Sequence, residues 1–290
     1  MTRALIMGAA ADKPLKGCFM DLMILLKSVI LGIVEGVTEF LPISSTGHMI
    51  IVGRFINFEG GFARLFEIVI QLGAIMAIMV LFRKKIAASF RSMSPGGEGF
   101  RLWSGLALGF VPLGVTGLLF HKKIEEHMMT PVVVACALMA GGLWMIFAER
   151  RYRNNSTISD IDSVGYRRAL VIGCFQCLAV LWPGFSRSAA TIIGGWIMGL
   201  SSVAAAEFSF FLAIPTMIIA TAYSLLKTDL SLGVTEIISL AVGFAVSFAV
   251  ALVVVDRFIA FLKTRPMRGF AIYRIILGLA IMALFLLKAL

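Results

Sequence analysis

The sequence predicts an all-α polytopic membrane protein, six spanning helices plus two re-entrant helical hairpins, arranged as an inverted-topology repeat. Three observations predict it. Of the 290 residues, 60% are hydrophobic and 14% charged, with a mean hydropathy of +0.97; that is too little polar surface to cover a soluble globule of this size. Six apolar runs, about 65–82, 102–120, 131–148, 206–226, 236–255 and 270–287, approach the roughly 20 residues that a spanning helix needs. Two further apolar stretches, about 22–52 and 166–200, are broken at their centres by proline, glycine and polar side chains.

From the amino end, residues 1–20 fit the rest poorly. Their apolar run, 4–11, is stopped by Asp12, Lys13 and Pro14, too early for a signal peptide. They are read as a flexible extension ahead of one membrane domain, 21–290. Cys174 and Cys177 form a CxxC without a second cysteine or histidine pair, and all four cysteines are read as packing residues.

The net charge of +10 could suggest a nucleic-acid partner, but the basic residues cluster in short loops between the runs, which is a topology signal. Arg83, Lys84, Lys85, Arg91 and Arg101 follow the first span. Arg150, Arg151, Arg153, Arg167 and Arg168 follow the third, and Arg257, Lys263, Arg265 and Arg268 precede the last. Placing these three loops in the cytoplasm makes the orientation alternate through all six spans. Irregular backbone at membrane depth survives only where protein or a water-filled cavity satisfies its polar groups. The broken stretches are therefore expected to enter and leave by one face, the first from outside and the second from inside, with their tips meeting.

The two halves echo each other. Glu35 and Gln176 each lie seven residues before a proline, Pro42 and Pro183, and ISSTGH and GFSRSAAT follow, which sets Ser45 opposite Ser186. Phe66-Glu67 is echoed by Ala206-Glu207, LALGF at 106–110 by LAVGF at 240–244, and Gly142-Leu143 by Gly278-Leu279, with offsets between 141 and 134. Repeat 1 is about 21–150 and repeat 2 about 160–290. Each holds one hairpin and three spans, so the second copy inserts upside down, as in many transporters whose site lies at the repeat interface.

Polar residues inside such stretches mark a site, because an ionised group in hydrocarbon costs at least about 2.5–3.5 kcal/mol. Glu35 and Glu39, four apart, share a helix face. Two carboxylates that close require a shared proton or a cation, and oxygen ligands suit Mg²⁺ or Ca²⁺. Ser44, Ser45, Thr46 and Gly47 make a turn of hydroxyls and N–H groups before His48. Pro183, Gly184, Ser186, Arg187, Ser188 and Thr191 make another, and the Arg187 guanidinium matches phosphate oxygens, although it could instead pair with Glu35 or Glu39. Arg274 is a second cation for the site or snorkels to the interface. Glu67, Gln71 and Glu207 are polar positions of undecided role; Trp182 and Trp196 are read as packing residues. Together these groups describe phosphoryl chemistry on a bilayer substrate, with transport of an anionic lipid as the alternative.

EGVTEFLPISSTGH and PGFSRSAAT resemble the two signature motifs of the undecaprenyl-pyrophosphate phosphatases of the bacitracin-resistance type. The likeness continues through FEIVIQLG, IGCFQCLA, EFSFFLAIP and FAIYR, nearly the whole chain from about Asp21. The resemblance implies removal of the terminal phosphate of undecaprenyl pyrophosphate, recycling the lipid carrier of the bacterial cell wall. It implies a divalent cation, and a site at the outer face of the cytoplasmic membrane. It makes Glu35 and Glu39 the acidic pair that binds metal or activates water, and Ser45 and His48 the candidates for nucleophile or general acid and base. Ser186, Arg187 and Ser188 match its phosphate-binding motif and Arg274 its late arginine; Ala189 stands where a glycine is common. The implied partners are a prenyl pyrophosphate lipid and the bilayer, with no nucleic acid, and a homodimer is left open.

Overall fold

In hydrocarbon every backbone N–H and C=O must find a partner within the chain, and helices supply one locally. The computed structural model describes residues 3–227 and 232–287, with side chains from residue 21 onward except those of 121, 122, 125 and 126. The side chains of the expected extension, 1–20, lie outside the described residues. Among the described residues the chain forms eleven α-helices and no named strand. In order these are α1 (Arg3–Thr38), α2 (Ser45–Phe55), α3 (Gly61–Leu81), α4 (Arg83–Arg91), α5 (Glu98–His127), α6 (Pro131–Tyr152), α7 (Tyr166–Leu181), α8 (Arg187–Ile197), α9 (Ser202–Lys227), α10 (Val234–Thr264) and α11 (Arg268–Leu286). Six of them, α3, α5, α6, α9, α10 and α11, are long and apolar enough to cross a membrane, and they coincide with the six apolar runs. The chain is a multi-pass membrane protein.

Helix α9 is the central span: Phe208, Phe210, Phe211 and Leu212 are all buried, and Phe210 meets Phe40 edge to face at 5.3 Å. Helices α10 and α11 present Val253, Ile276 and Leu279 outward, which is no penalty against lipid tails as apolar as the side chains themselves. Close helix contacts need small residues for the same reason. A methyl added to Gly32 of α1 would stand 2.8 Å from the Gly243 carbonyl oxygen of α10, and one on Gly173 of α7 would overlap the Gly109 carbonyl of α5 outright. Between α6 and α11 the contact is reciprocal: a methyl on Gly142 would lie 2.8 Å from the Ala271 oxygen, and one on Gly278 would lie 2.8 Å from the Ala135 oxygen.

The two broken stretches are helix–turn–helix units. Lys27, within α1 and near the start of the first broken stretch, donates to the Asn57 carbonyl just past α2, 3.1 Å, so the two ends of that stretch lie side by side. Arg168 near the start of α7 does the same to the Met198 carbonyl just past α8, 3.2 Å. Both cations sit where a helix C-terminus leaves carbonyls unpaired.

Each proline acts earlier than its position suggests. Helix α1 ends at Thr38, four residues before Pro42, whose ring crowds the carbonyl four residues back and offers it no N–H; α7 ends at Leu181, two before Pro183, since a proline disfavours helix in the residue preceding it. Glu39 therefore lies just past α1 and not within it, although its N–H still reaches the Glu35 carbonyl at 3.0 Å.

Candidate active site

The two turns touch. Ser188 Oγ donates to the Leu41 carbonyl at 2.8 Å. Beneath both turns lies Arg274, 0% exposed, which donates to the carbonyls of Pro42, Gly184 and Phe185 at 3.4, 3.5 and 2.5 Å. Snorkelling is ruled out by that burial, and the side chain clips one turn to the other. Gly184, at φ 96°, fits because a methyl there would meet the Val134 carbonyl at 2.7 Å.

From these turns α2 and α8 start in the same way. Ser44 caps α2 at φ 71° and accepts from Gly47 N at 3.3 Å; Ser186 caps α8 at φ 75° and accepts from Ala189 N at 3.3 Å. Left-handed backbone at a non-glycine residue costs on the order of 1–3 kcal/mol and is kept where the surroundings impose it, often at a functional site. The shared geometry corrects one expectation: Ser44, not Ser45, is the counterpart of Ser186. One residue separates Pro42 from Ser44 but two separate Pro183 from Ser186, so an alignment anchored on the prolines slips by one.

Both N-termini open on a cavity of about 250 Å³. Its polar wall holds Glu39, Ser44, Ser45, Thr46, Gln71, Gly184, Ser186, Arg187 and Thr216; its apolar wall holds Leu113, Ala179, Val180, Met217 and Ala220. Exposed N–H groups and aligned dipoles make a helix N-terminus an anion site, and here two converge. Arg187 Nη2 donates to Glu39 Oε1 at 2.8 Å, and Ser45 Oγ donates to Glu39 Oε2 at 2.5 Å. The guanidinium also lies over the Phe40 ring at 5.9 Å. Glu35, 1% exposed, lies one helical turn before Glu39, and its Oε1 has no partner.

Some of the expected residues stand elsewhere. His48 is turned from the cavity: Nδ1 lies 2.7 Å from the Ser44 carbonyl and Nε2 2.7 Å from the Tyr273 hydroxyl. A carbonyl only accepts, so Nδ1 carries the hydrogen and, in the neutral ring, Tyr273 donates to Nε2. Thr191 donates to the Arg187 carbonyl and to Ser209 Oγ at 2.9 and 2.7 Å, away from the cavity. Ser188 joins the turns, and Arg274 lies below them. Trp182 and Trp196 pack, their indole N–H groups meeting the Val133 carbonyl and Ser202 Oγ at 3.2 and 3.1 Å. Sequence reasoning missed Tyr273 and Thr216 altogether and left Gln71 undecided. Gln71 had one signal, its place four residues after Glu67 on one face of α3.

Fold and site together define a polytopic membrane protein with a polar-walled cavity between two helix–turn–helix units. The family described as bacitracin resistance protein BacA matches residues 28–280, and the chain belongs to that family. Curated relatives agree. The undecaprenyl-diphosphatase of Clostridium novyi (strain NT) is 53% identical over 277 residues, covering 91% of this chain and 96% of its own. That of Thermoanaerobacter sp. (strain X514) is 52% identical over 261 residues, covering 90% and 97%. The undecaprenyl-diphosphatase 2 of Clostridium acetobutylicum is 47% identical over 300 residues, covering 92% and 97%.

Proposed function

We infer that the chain hydrolyses undecaprenyl pyrophosphate to undecaprenyl phosphate and inorganic phosphate, and that it does so in the cavity where α2 and α8 begin. The activity rests on family membership and on relatives that share about half their residues with nearly the whole chain. Those relatives are named for hydrolysis, so the transport reading is not favoured. The observation that carries the site is the convergence of two serine-capped helix N-termini on a cavity that also holds the chain Arg187, Glu39, Ser45.

Each residue then has a task. N–H groups at the starts of α2 and α8, with the hydroxyls of Ser44, Thr46 and Ser186, cradle the diphosphate. Its charge exceeds that of one carboxylate, so Arg187 can turn its fork from Glu39 to the phosphoryl oxygens. Glu39, freed, takes the proton of Ser45 as Oγ attacks the terminal phosphorus; the bond from phosphorus to the bridging oxygen breaks and undecaprenyl phosphate leaves. Water then releases phosphate from the serine. Ser45 is favoured over His48 as nucleophile because it already donates to Glu39 at 2.5 Å while both His48 nitrogens are engaged elsewhere. The apolar wall suits the first units of the prenyl chain.

The donor set fits Mg²⁺ or Ca²⁺, which bind through one or two carboxylates plus substrate phosphates. Glu35, one helical turn before Glu39 and with an unpartnered buried Oε1, would hold the ion with Glu39. When bound, such a cation supplies Lewis-acid neutralisation of phosphoryl charge.

The reading extends to the architecture: 21–290 forms one membrane domain of two inverted repeats with re-entrant hairpins. Three pairs of corresponding contacts support it. Lys27 to Asn57 and Arg168 to Met198 are the same bond displaced by 141 residues. Gly32 against Gly243 corresponds to Gly173 against Gly109, and the Gly142–Ala271 and Gly278–Ala135 contacts exchange under an offset of 136. Loop charges orient the first hairpin and the cavity toward the outer face of the cytoplasmic membrane.

The test is release of inorganic phosphate from undecaprenyl pyrophosphate by the purified protein in detergent, with Mg²⁺ or Ca²⁺ and with chelator. Glu39→Gln, which keeps the shape of the side chain, and Arg187→Ala should each lower turnover by a factor of roughly a hundred or more, the scale of lost acid–base catalysis. Near wild-type rates in Glu39→Gln would remove the carboxylate from the reaction. Activity unchanged by chelator would remove the cation.

A further inference from the structure

Most polar side chains on the cavity wall already have partners within the protein. Glu39 is held by Ser45 and Arg187, and Ser44 and Ser186 accept from the first turns of their own helices. Thr216 donates to the Leu212 carbonyl at 2.8 Å and lies 3.4 Å from Gln176 Oε1. A ligand that engaged Glu39, Ser45, Arg187 or Thr216 would exchange one hydrogen bond for another, with little net gain. Gln71 is different. It lines the same cavity from α3, an element outside both turns. Among the described residues its amide makes no hydrogen bond, ion pair or ring contact; only Thr46 on the polar wall shares that condition.

The amide carries two N–H donors and one acceptor. Its placement has a cause: Gln71 sits one turn after Glu67 on α3 and lines the cavity together with Glu39 of the first turn. The Gln71 face of α3 therefore looks toward the first turn. A neutral donor in this place adds hydrogen bonds to an anion without another charge to desolvate, which neither a lysine nor an arginine could do.

We propose that Gln71 is a substrate-binding residue, donating its side-chain N–H groups to phosphoryl oxygens of the bound diphosphate from the α3 side of the cavity. The proposal rests on the reading of the cavity as the diphosphate site. It assigns the headgroup a third point of attachment beyond the two turns, and three points from three elements fix the orientation of a diphosphate where two leave a rotation.

The experiment measures three quantities on the full-length protein in detergent: affinity for a methylene-bridged prenyl bisphosphonate, which cannot be hydrolysed, steady-state kcat and KM on undecaprenyl pyrophosphate, and the melting temperature. Gln71→Met keeps length and removes the donors; Gln71→Glu keeps shape and replaces donors with negative charge. Loss of a hydrogen bond to a charged group predicts bisphosphonate affinity and kcat/KM lower by roughly ten- to a hundredfold in Gln71→Met. Gln71→Glu should fall further, with melting close to wild type in both. A packing role would order the variants differently, because Glu is the closer isostere. The proposal is overturned if both variants bind the bisphosphonate as the wild type does, or if Gln71→Glu binds better than Gln71→Met. A wild-type protein that binds the bisphosphonate but releases no phosphate would defeat the hydrolytic reading and leave the Gln71 comparison intact.

Discussion

At the scale of single residues, the feature that links stability to function is the Glu39 carboxylate, whose two oxygens are taken separately by Arg187 and Ser45. The Arg187 and Glu39 side chains are 13% and 9% exposed, so water does little to screen the pair. Breaking a buried pair from one side strands the other charge and typically costs about 3–5 kcal/mol, whereas replacing both partners can be near neutral. Arg187→Met alone should therefore destabilise the protein strongly, and Glu39→Gln together with Arg187→Met should regain most of that loss, measured by denaturant titration in one detergent. Neither variant should release phosphate, since both lack the cation proposed to meet the diphosphate. Stability losses that simply add would show that the two groups are not coupled, and the ion pair would then be no resting state of the site.

At the scale of elements, small residues decide how closely helices pack, and the contacts are graded. A methyl on Gly173 overlaps the Gly109 carbonyl, while one on Gly32 would stand 2.8 Å from the Gly243 carbonyl. Gly32→Ala should cost about 1–3 kcal/mol, as overpacking does, and Gly173→Ala should lie at or above the top of that range. Thermal unfolding of the two variants in one detergent checks the order, and equal losses would mean that α5 and α7 part more easily than their geometry indicates. The elements were also the most legible part of the sequence. Run length alone located the six spans, because a span is set by bilayer thickness, and polar residues inside apolar stretches located the two turns. What stayed hidden was local register and distant contact. The extra residue between Pro183 and Ser186 shifts the serine pairing by one, and no pattern of residue types reveals that. Pro42 ends α1 early enough to put Glu39 past the helix. His48 meets Tyr273 across 225 positions, and no spacing rule reaches so far. Gln71 was a polar residue of undecided role, on a span whose place at the cavity only the fold makes known.

At the scale of the whole molecule, the question is which side of the membrane each helix–turn–helix unit enters from, and bonds near the ends of the units limit the answers. Lys27 beside Asn57 brings the stretch of α1 that opens the first unit to the end of α2, and Thr235 Oγ1 donates to Asp21 Oδ1 at 2.9 Å, setting the start of α10 at the same level. Arg168 beside Met198 does for α7 and α8 what Lys27 does for α1 and α2. On the inverted-repeat reading proposed above, each unit leaves by the face it entered, and the three spans between them make the two units enter from opposite faces. In a variant with Cys18, Cys136, Cys174 and Cys177 replaced, single cysteines at Asp21 and at Glu59 should therefore react with a membrane-impermeant maleimide from the outside of intact cells. Cysteines at Ser163 and at Ser201 should react only in inverted vesicles. Asp21 and Glu59 labelling from opposite sides would make the first unit a full crossing and end the inverted-repeat reading. All four positions labelling from one side would keep the hairpins and end the inversion, because the number of spans between them would have to be even.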